Sequence, residues 1–156
     1  MSLNNVKAKE FLLKIKELHP IIKSIQPIHQ PGSGNVFNEM VKNIAYQQVS
    51  FKAAESVYAK FTNLMRSTEY TPSKILKTNY EEIKSCGFSY RKTDYIFNIA
   101  TYFKKNRLYK KDWSKLNDNE IIDLLTQIKG VGVWTVQMIL IFELKRPDIF
   151  LSLIHI

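Results

Sequence analysis

Gly130-Val131-Gly132-Val133-Trp134-Thr135 is the stretch of this chain whose residue types and spacing point most directly to chemistry. Two glycines two residues apart allow a tight turn with positive φ and no Cβ in the way. A turn that opens straight into a helix leaves backbone N–H groups unpaired and facing outward, where they attract an anion. The spacing therefore predicts a phosphate grip made of backbone, with Lys129, Gly130, Val131, Gly132 and Thr135 at the contact. An ordinary tight turn between two helices is the competing reading.

Two apolar-periodic segments must position that turn. Ile121, Ile122, Leu124, Leu125 and Ile128 precede it at helical spacing, and Trp134, Met138, Ile141 and Phe142 follow. The predicted unit is helix, hairpin, helix over about residues 118–145, with Asn117 as N-cap and Glu120 as its capping-box partner. Further back, the periodicity predicts helices over 6–18, 37–48, 51–65, 80–85 and from 90 onward. Their stripes include Phe37, Met40, Val41, Ile44 and Ala45, and then Ala53, Ala54, Val57, Phe61, Leu64 and Met65. Ser50, Asn79 and Ser89 are placed to cap, Thr71-Pro72 opens a short helix, and Gly87 stops one. Residues 108–116 form a basic connection. No clear alternating strand appears, so the expected class is all-α.

Composition limits the functions open to such a chain. Its 156 residues, 45% of them hydrophobic, suit one globular domain, placed over 1–150. Cys86 stands alone, which excludes an internal disulfide and a four-thiolate iron–sulfur cluster. His19 and His29 lie beside prolines without a second ligand at metal spacing, and both read as structural or surface residues. No run spans a membrane and no signal peptide is evident, so a soluble intracellular protein is expected, at the bacterial nucleoid or in a nucleus. The net charge of +9 and pI near 9.6 favour a polyanionic partner, nucleic acid first.

Three stretches in order carry a resemblance. They are Ile44-Ala45-Tyr46-Gln47-Gln48-Val49-Ser50 with Ala53-Ala54, then Gly87-Phe88-Ser89-Tyr90-Arg91-Lys92, then the hairpin with Arg146-Pro147-Asp148-Ile149-Phe150. Together they resemble the helix-hairpin-helix DNA glycosylase superfamily, and within it the 3-methyladenine DNA glycosylase II type. That resemblance implies a helical glycosylase bundle, incomplete at its C-terminal end. It implies excision of alkylated purines from double-stranded DNA by a monomer, after the base is flipped out of the stack. The turn at Gln47, Gln48 and Ser50 would enter the minor groove, with Gln48 matching the inserted residue. Tyr46, Trp134 and Met138 would form the base pocket, an aromatic face suiting a cationic alkylpurine.

Trp134 stands where the lyase branches of that superfamily place a lysine nucleophile, which implies a monofunctional hydrolase. The resemblance implies no cofactor, apart from a monovalent cation held by the hairpin backbone. It also implies an aspartate near Leu153 or Ile154 to stabilise the cationic sugar, and the chain has none there. Asp148 matches the family's Pro-Asp helix stop instead. Residues 151–156 are accordingly expected to be a foreign or truncated tail, and these 156 residues to bind DNA without cleaving it. A non-catalytic helix-hairpin-helix DNA-binding module is the alternative, and an all-α interaction domain with an incidental glycine turn is a third.

Overall fold

The computed structural model of the protein describes residues 10–24, 32–147, 149 and 151. The chain divides into two compact units, 1–31 and 32–156.

In the first unit the expected single helix over 6–18 is broken. Ile15 is extended (φ −97°, ψ 106°), a 3-10 turn covers Lys16–Leu18, and helix α1 (His19–Ser24) follows. Phe11, Leu12 and Ile15 are exposed. A short helix whose apolar stripe is unpacked is marginal in water. Pro20 falls in the first turn of α1, where its missing N–H costs nothing. His19 Nε2 bonds the Leu13 carbonyl, a structural role. His29 lies outside the described residues.

Side-chain caps mark the helix starts of the second unit. Asn35 accepts from the Asn38 amide ahead of α2 (Val36–Tyr46), and Ser50 from Ala53 ahead of α3 (Phe51–Met65). Thr71 caps α4 (Pro72–Lys77), Asn79 caps α5 (Tyr80–Ser85), and Ser89 caps α6 (Tyr90–Lys105). Asn117 and Glu120 form the predicted capping box of α7 (Asp118–Thr126). Each such oxygen satisfies an amide that the helix itself cannot, worth about 1 kcal/mol. Gly87 stops α5 at φ 112°, a left-handed angle that suits a residue without Cβ. Two 3-10 turns, Leu108–Lys110 and Trp113–Lys115, make the basic connection, and α8 (Val133–Met138) continues as a π-helical turn over Ile139–Glu143. All regular structure among the described residues is helical.

Helix α6 is the central post. Its Thr93, Ile96, Ile99, Ala100 and Phe103 are buried, as are Phe37, Met40, Val41, Ile44 and Ala45 of α2. Phe37 packs on Phe103 with ring centroids 5.2 Å apart, and Phe103 on Trp113 at 6.1 Å. Burying such a ring is worth roughly 2 kcal/mol, so these aromatics set where α6 stands. Ala53 departs from the expected stripe. It is exposed because α3 turns only Ala54, Phe61 and Met65 fully inward.

Candidate nucleic-acid interface

The hairpin joins α7 to α8, and its two glycines do different things. Gly130 is left-handed (φ 99°), and a Cβ on it would fall within the Tyr95 ring of α6. Gly132 is extended (φ −96°, ψ 169°) with open space around it. The expected positive φ falls on Gly130 alone: one left-handed residue is enough to reverse the chain, and the second glycine leaves room outside. Gly132 serves as N-cap of α8 without a side-chain cap, so the first amides of α8 keep no side-chain partner. Lys129 is exposed beside them.

Two other residues expected at the phosphate face inward. Val131 is 5% exposed and its amide already donates to Ile128 O at 3.0 Å. Thr135 is 4% exposed, and its hydroxyl accepts from Gln47 Nε2 at 3.3 Å. The Val131 amide is thus already used, and the Thr135 side chain is engaged inward, while the Thr135 amide belongs to the open first turn of α8. The expected monovalent cation would need converging carbonyls. Ile128 O accepts from Val131 and Lys129 O from Asn98 Nδ2 at 3.2 Å. Both carbonyls are thus already engaged by protein donors.

The Gln47–Thr135 bond brings the hairpin to the turn between α2 and α3. In that turn Gln47 is extended (φ −62°, ψ 129°) and Gln48 is left-handed at φ 53°. Gln48, Val49, Ser50 and Phe51 are exposed. Ser50 turns its hydroxyl back to cap α3, accepting from Ala53 N at 3.4 Å. Lys92 of α6 reaches under the turn. Its Nζ donates to Gln47 O at 2.7 Å and to Ala45 O at 3.0 Å. These carbonyls end α2, where a helix leaves acceptors unpaired and favours a cation. Burial pulls the Lys92 pKa down from its ordinary value.

Turn, hairpin and α6 enclose a cleft of about 510 Å³ lined by Tyr46, Gln47, Gln48, Ser89, Arg91, Lys92, Tyr95 and Trp134. Trp134 is 49% exposed, an indole half open to solvent at the mouth of a helix. Tyr46 is half-buried, its ring 5.8 Å from that of Phe51. Of the expected pocket residues, the structure brings Tyr46 and Trp134 together. Met138 is half-buried and does not line the cleft. Four residues along a helix is roughly 6 Å, which carries it past the cleft.

Sequence reasoning gave no role to Tyr95, Arg91 or Lys92. The signal was available, because 91, 92 and 95 share one face of α6 at helical spacing. No carboxylate lines the cleft among the described residues. The positions where an aspartate is expected, Leu153 and Ile154, lie outside the described residues, as does Asp148.

Arg146, which follows the hairpin in the third motif, is an anchor. Its Nη2 donates to Trp113 O at 3.0 Å and to Leu116 O at 2.8 Å, and its Nε lies 3.4 Å from Asp118 Oδ1. Ser33 Oγ donates to buried Glu143 at 2.9 Å. Both tie down the π-helical turn behind the hairpin.

Comparison with known proteins agrees with this arrangement. The family model described as HhH-GPD superfamily base excision DNA repair protein matches residues 41–150. DNA-3-methyladenine glycosylase 1 of Schizosaccharomyces pombe is 33% identical over 136 residues, 86% of this chain and 60% of that protein. The DNA-3-methyladenine glycosylase of Saccharomyces cerevisiae is 33% identical over 162 residues, 94% of this chain and 54% of that protein. The chain thus spans little more than half the length of these curated relatives. Among solved structures, the S. pombe 3-methyladenine DNA glycosylase in complex with abasic DNA matches with a TM-score of 0.77 at 32% identity, covering 92% of this chain and 73% of that one. A DNA-3-methyladenine glycosidase from Bacillus halodurans gives 0.76 at 27% identity, covering 92% and 66%. A match over residues 41–150 takes in the turn, the cleft and the hairpin alike, and so the chain belongs to the HhH-GPD superfamily of base excision DNA repair proteins.

Proposed function

We propose that this chain carries the DNA-gripping and base-reading part of a monofunctional glycosylase that excises alkylated purines from double-stranded DNA. The observation that carries the reading is the cleft itself. A half-exposed Trp134, Tyr46 and Tyr95 stand around about 510 Å³, one wall is the Gln48 turn, and the hairpin lies beside it. A base is chemically reachable only once it leaves the stack, and the vacated space in the duplex must then be filled. Gln48 is the residue placed to fill it, and the uncapped start of α8 with Lys129 is placed to hold the backbone. Val133 and Phe51 are also exposed around this surface, at 51% and 69%. The relatives named as 3-methyladenine glycosylases, one of them bound to abasic DNA, support the same substrate class.

Hydrolysis needs a carboxylate near the anomeric carbon as positive charge develops there. Among the described residues the cleft lining holds none. Monomeric action wherever DNA is kept, nucleoid or nucleus, follows from the same reading. Among the described residues no helix is long and apolar enough to cross a membrane.

The test compares this chain with the same chain joined to the C-terminal residues of the Schizosaccharomyces pombe relative, on duplexes containing 3-methyladenine or hypoxanthine. The extended chain is expected to release the base at least about 10²-fold faster, the scale of one transition-state charge partner. Equal rates would show that no carboxylate in the added segment is the catalyst. Binding without release by either would leave a helix-hairpin-helix DNA-binding module. Borohydride trapping on abasic DNA is expected to give no adduct, since Trp134 replaces the lyase lysine. An adduct on Lys92, the one lysine lining the cleft among the described residues, would overturn the monofunctional assignment.

A further inference from the structure

We infer that Lys92 is a positioning residue, whose ammonium clamps the end of α2 so that Gln48 projects over the cleft in one fixed conformation. The inference rests on the reading above that Gln48 enters the duplex.

The geometry is specific. Lys92 Nζ donates to two carbonyls from peptides of different orientation, the helical Ala45 and the extended Gln47. An ammonium with three rotatable donors can satisfy both at once. Gln47 is then held from two directions. Its carbonyl is bound by α6, and its side chain is bound by Thr135 of α8 at 3.3 Å. The next residue, Gln48, has φ 53°, a region that residues with a Cβ rarely adopt and that persists only where the surroundings impose it.

Gln48 is exposed, and no side-chain hydrogen bond of its own is recorded among the described residues. The constraint must therefore come through its neighbour. An interhelix turn without the clamp would sample other conformations, and a wedge must be in place when the base leaves the stack. Lys92 acts through the turn and not on the sugar, because its ammonium is already engaged by the two carbonyls.

Two measurements decide the matter, one without DNA. The Gln47 amide donates to Asn43 O at 3.1 Å in the last turn of α2. In Lys92→Met its hydrogen exchange is expected to rise about tenfold through local opening, while the Val136 amide, bonded to Gly132 O, is unchanged. On DNA, 2-aminopurine in a duplex reports unstacking at saturating protein, where affinity no longer matters. The signal is expected to fall at least about fivefold in Lys92→Met, since misplaced groups lose far more than their contact energy. Lys92→Arg is expected to recover most of it, as Arg146 shows that a guanidinium can serve two carbonyls in this fold.

Unchanged Gln47 exchange in Lys92→Met would overturn the inference. So would a uniform rise across α2 and α6, which would make Lys92 a stability residue only. If the unsubstituted chain gives no 2-aminopurine signal on any duplex, the glycosylase reading fails, and the exchange measurement still decides whether Lys92 holds the turn.

Discussion

The two turns that flank the cleft are built on opposite plans. The hairpin after α7 reverses the chain at one left-handed glycine, Gly130, seated against the Tyr95 ring. Its internal closure is local, Val131 N to Ile128 O. The turn after α2 places a residue with a full side chain, Gln48, in the same region of φ. It depends on Lys92 from 45 and 47 residues away and on Thr135 from 88 residues away. A turn that offers backbone to a ligand profits from having no side chain. A turn that offers a side chain cannot use glycine, and the fold must impose its conformation from outside.

Substitutions that exchange the two plans test this difference. Gly130→Val should have the largest effect. It adds left-handed strain and drives a side chain into Tyr95, together about 3 kcal/mol of lost stability. A denaturant midpoint unchanged from the parent would mean that Tyr95 moves aside freely and the hairpin is not rigid.

Gln48→Gly should act in the other direction and more weakly. Removing a Cβ at φ 53° relieves strain, partly offset by the added freedom of glycine when unfolded, for a net gain of about 0.5 kcal/mol. Unstacking of a reporter base should fall nonetheless, because the wedge is gone. A variant that is more stable and still unstacks DNA fully would remove Gln48 from the interface.

Gly132→Ala should change stability least, within about 0.5 kcal/mol, since its φ of −96° and open surroundings accept a methyl group. Its effect belongs to binding. A methyl group between the backbone and a phosphate should weaken affinity for all duplex sequences alike, because such contacts carry no sequence information. Unchanged duplex affinity in a folded variant would reduce the hairpin to an ordinary turn.

Much was legible in the sequence wherever the cause of structure is local. Ser50, Thr71, Asn79, Ser89 and Asn117 cap the helices they precede, because a cap joins a side chain to an amide two or three residues away. The inward face of α2 followed from helical periodicity, with Val36 and Asn38 as additions. The order of turn, α6 and hairpin was also readable, as was the pairing of Tyr46 with Trp134 at one site.

Tertiary structure decided the rest. Whether an apolar residue at helical spacing is covered depends on what stands opposite, so Trp134 and Phe142 are open while Val136, Ile139 and Leu140 are buried. Whether a glycine needs its freedom depends on its neighbours in space, so Gly130 does and Gly132 does not. A lysine that reads as solvent-facing charge became the clamp under the turn, because α6 places its Nζ between two carbonyls at the end of α2. Caps and periodicity act over one helical turn, which the sequence displays directly. Contacts between residues dozens of positions apart exist only once the packing of α2, α6 and α8 has brought them together.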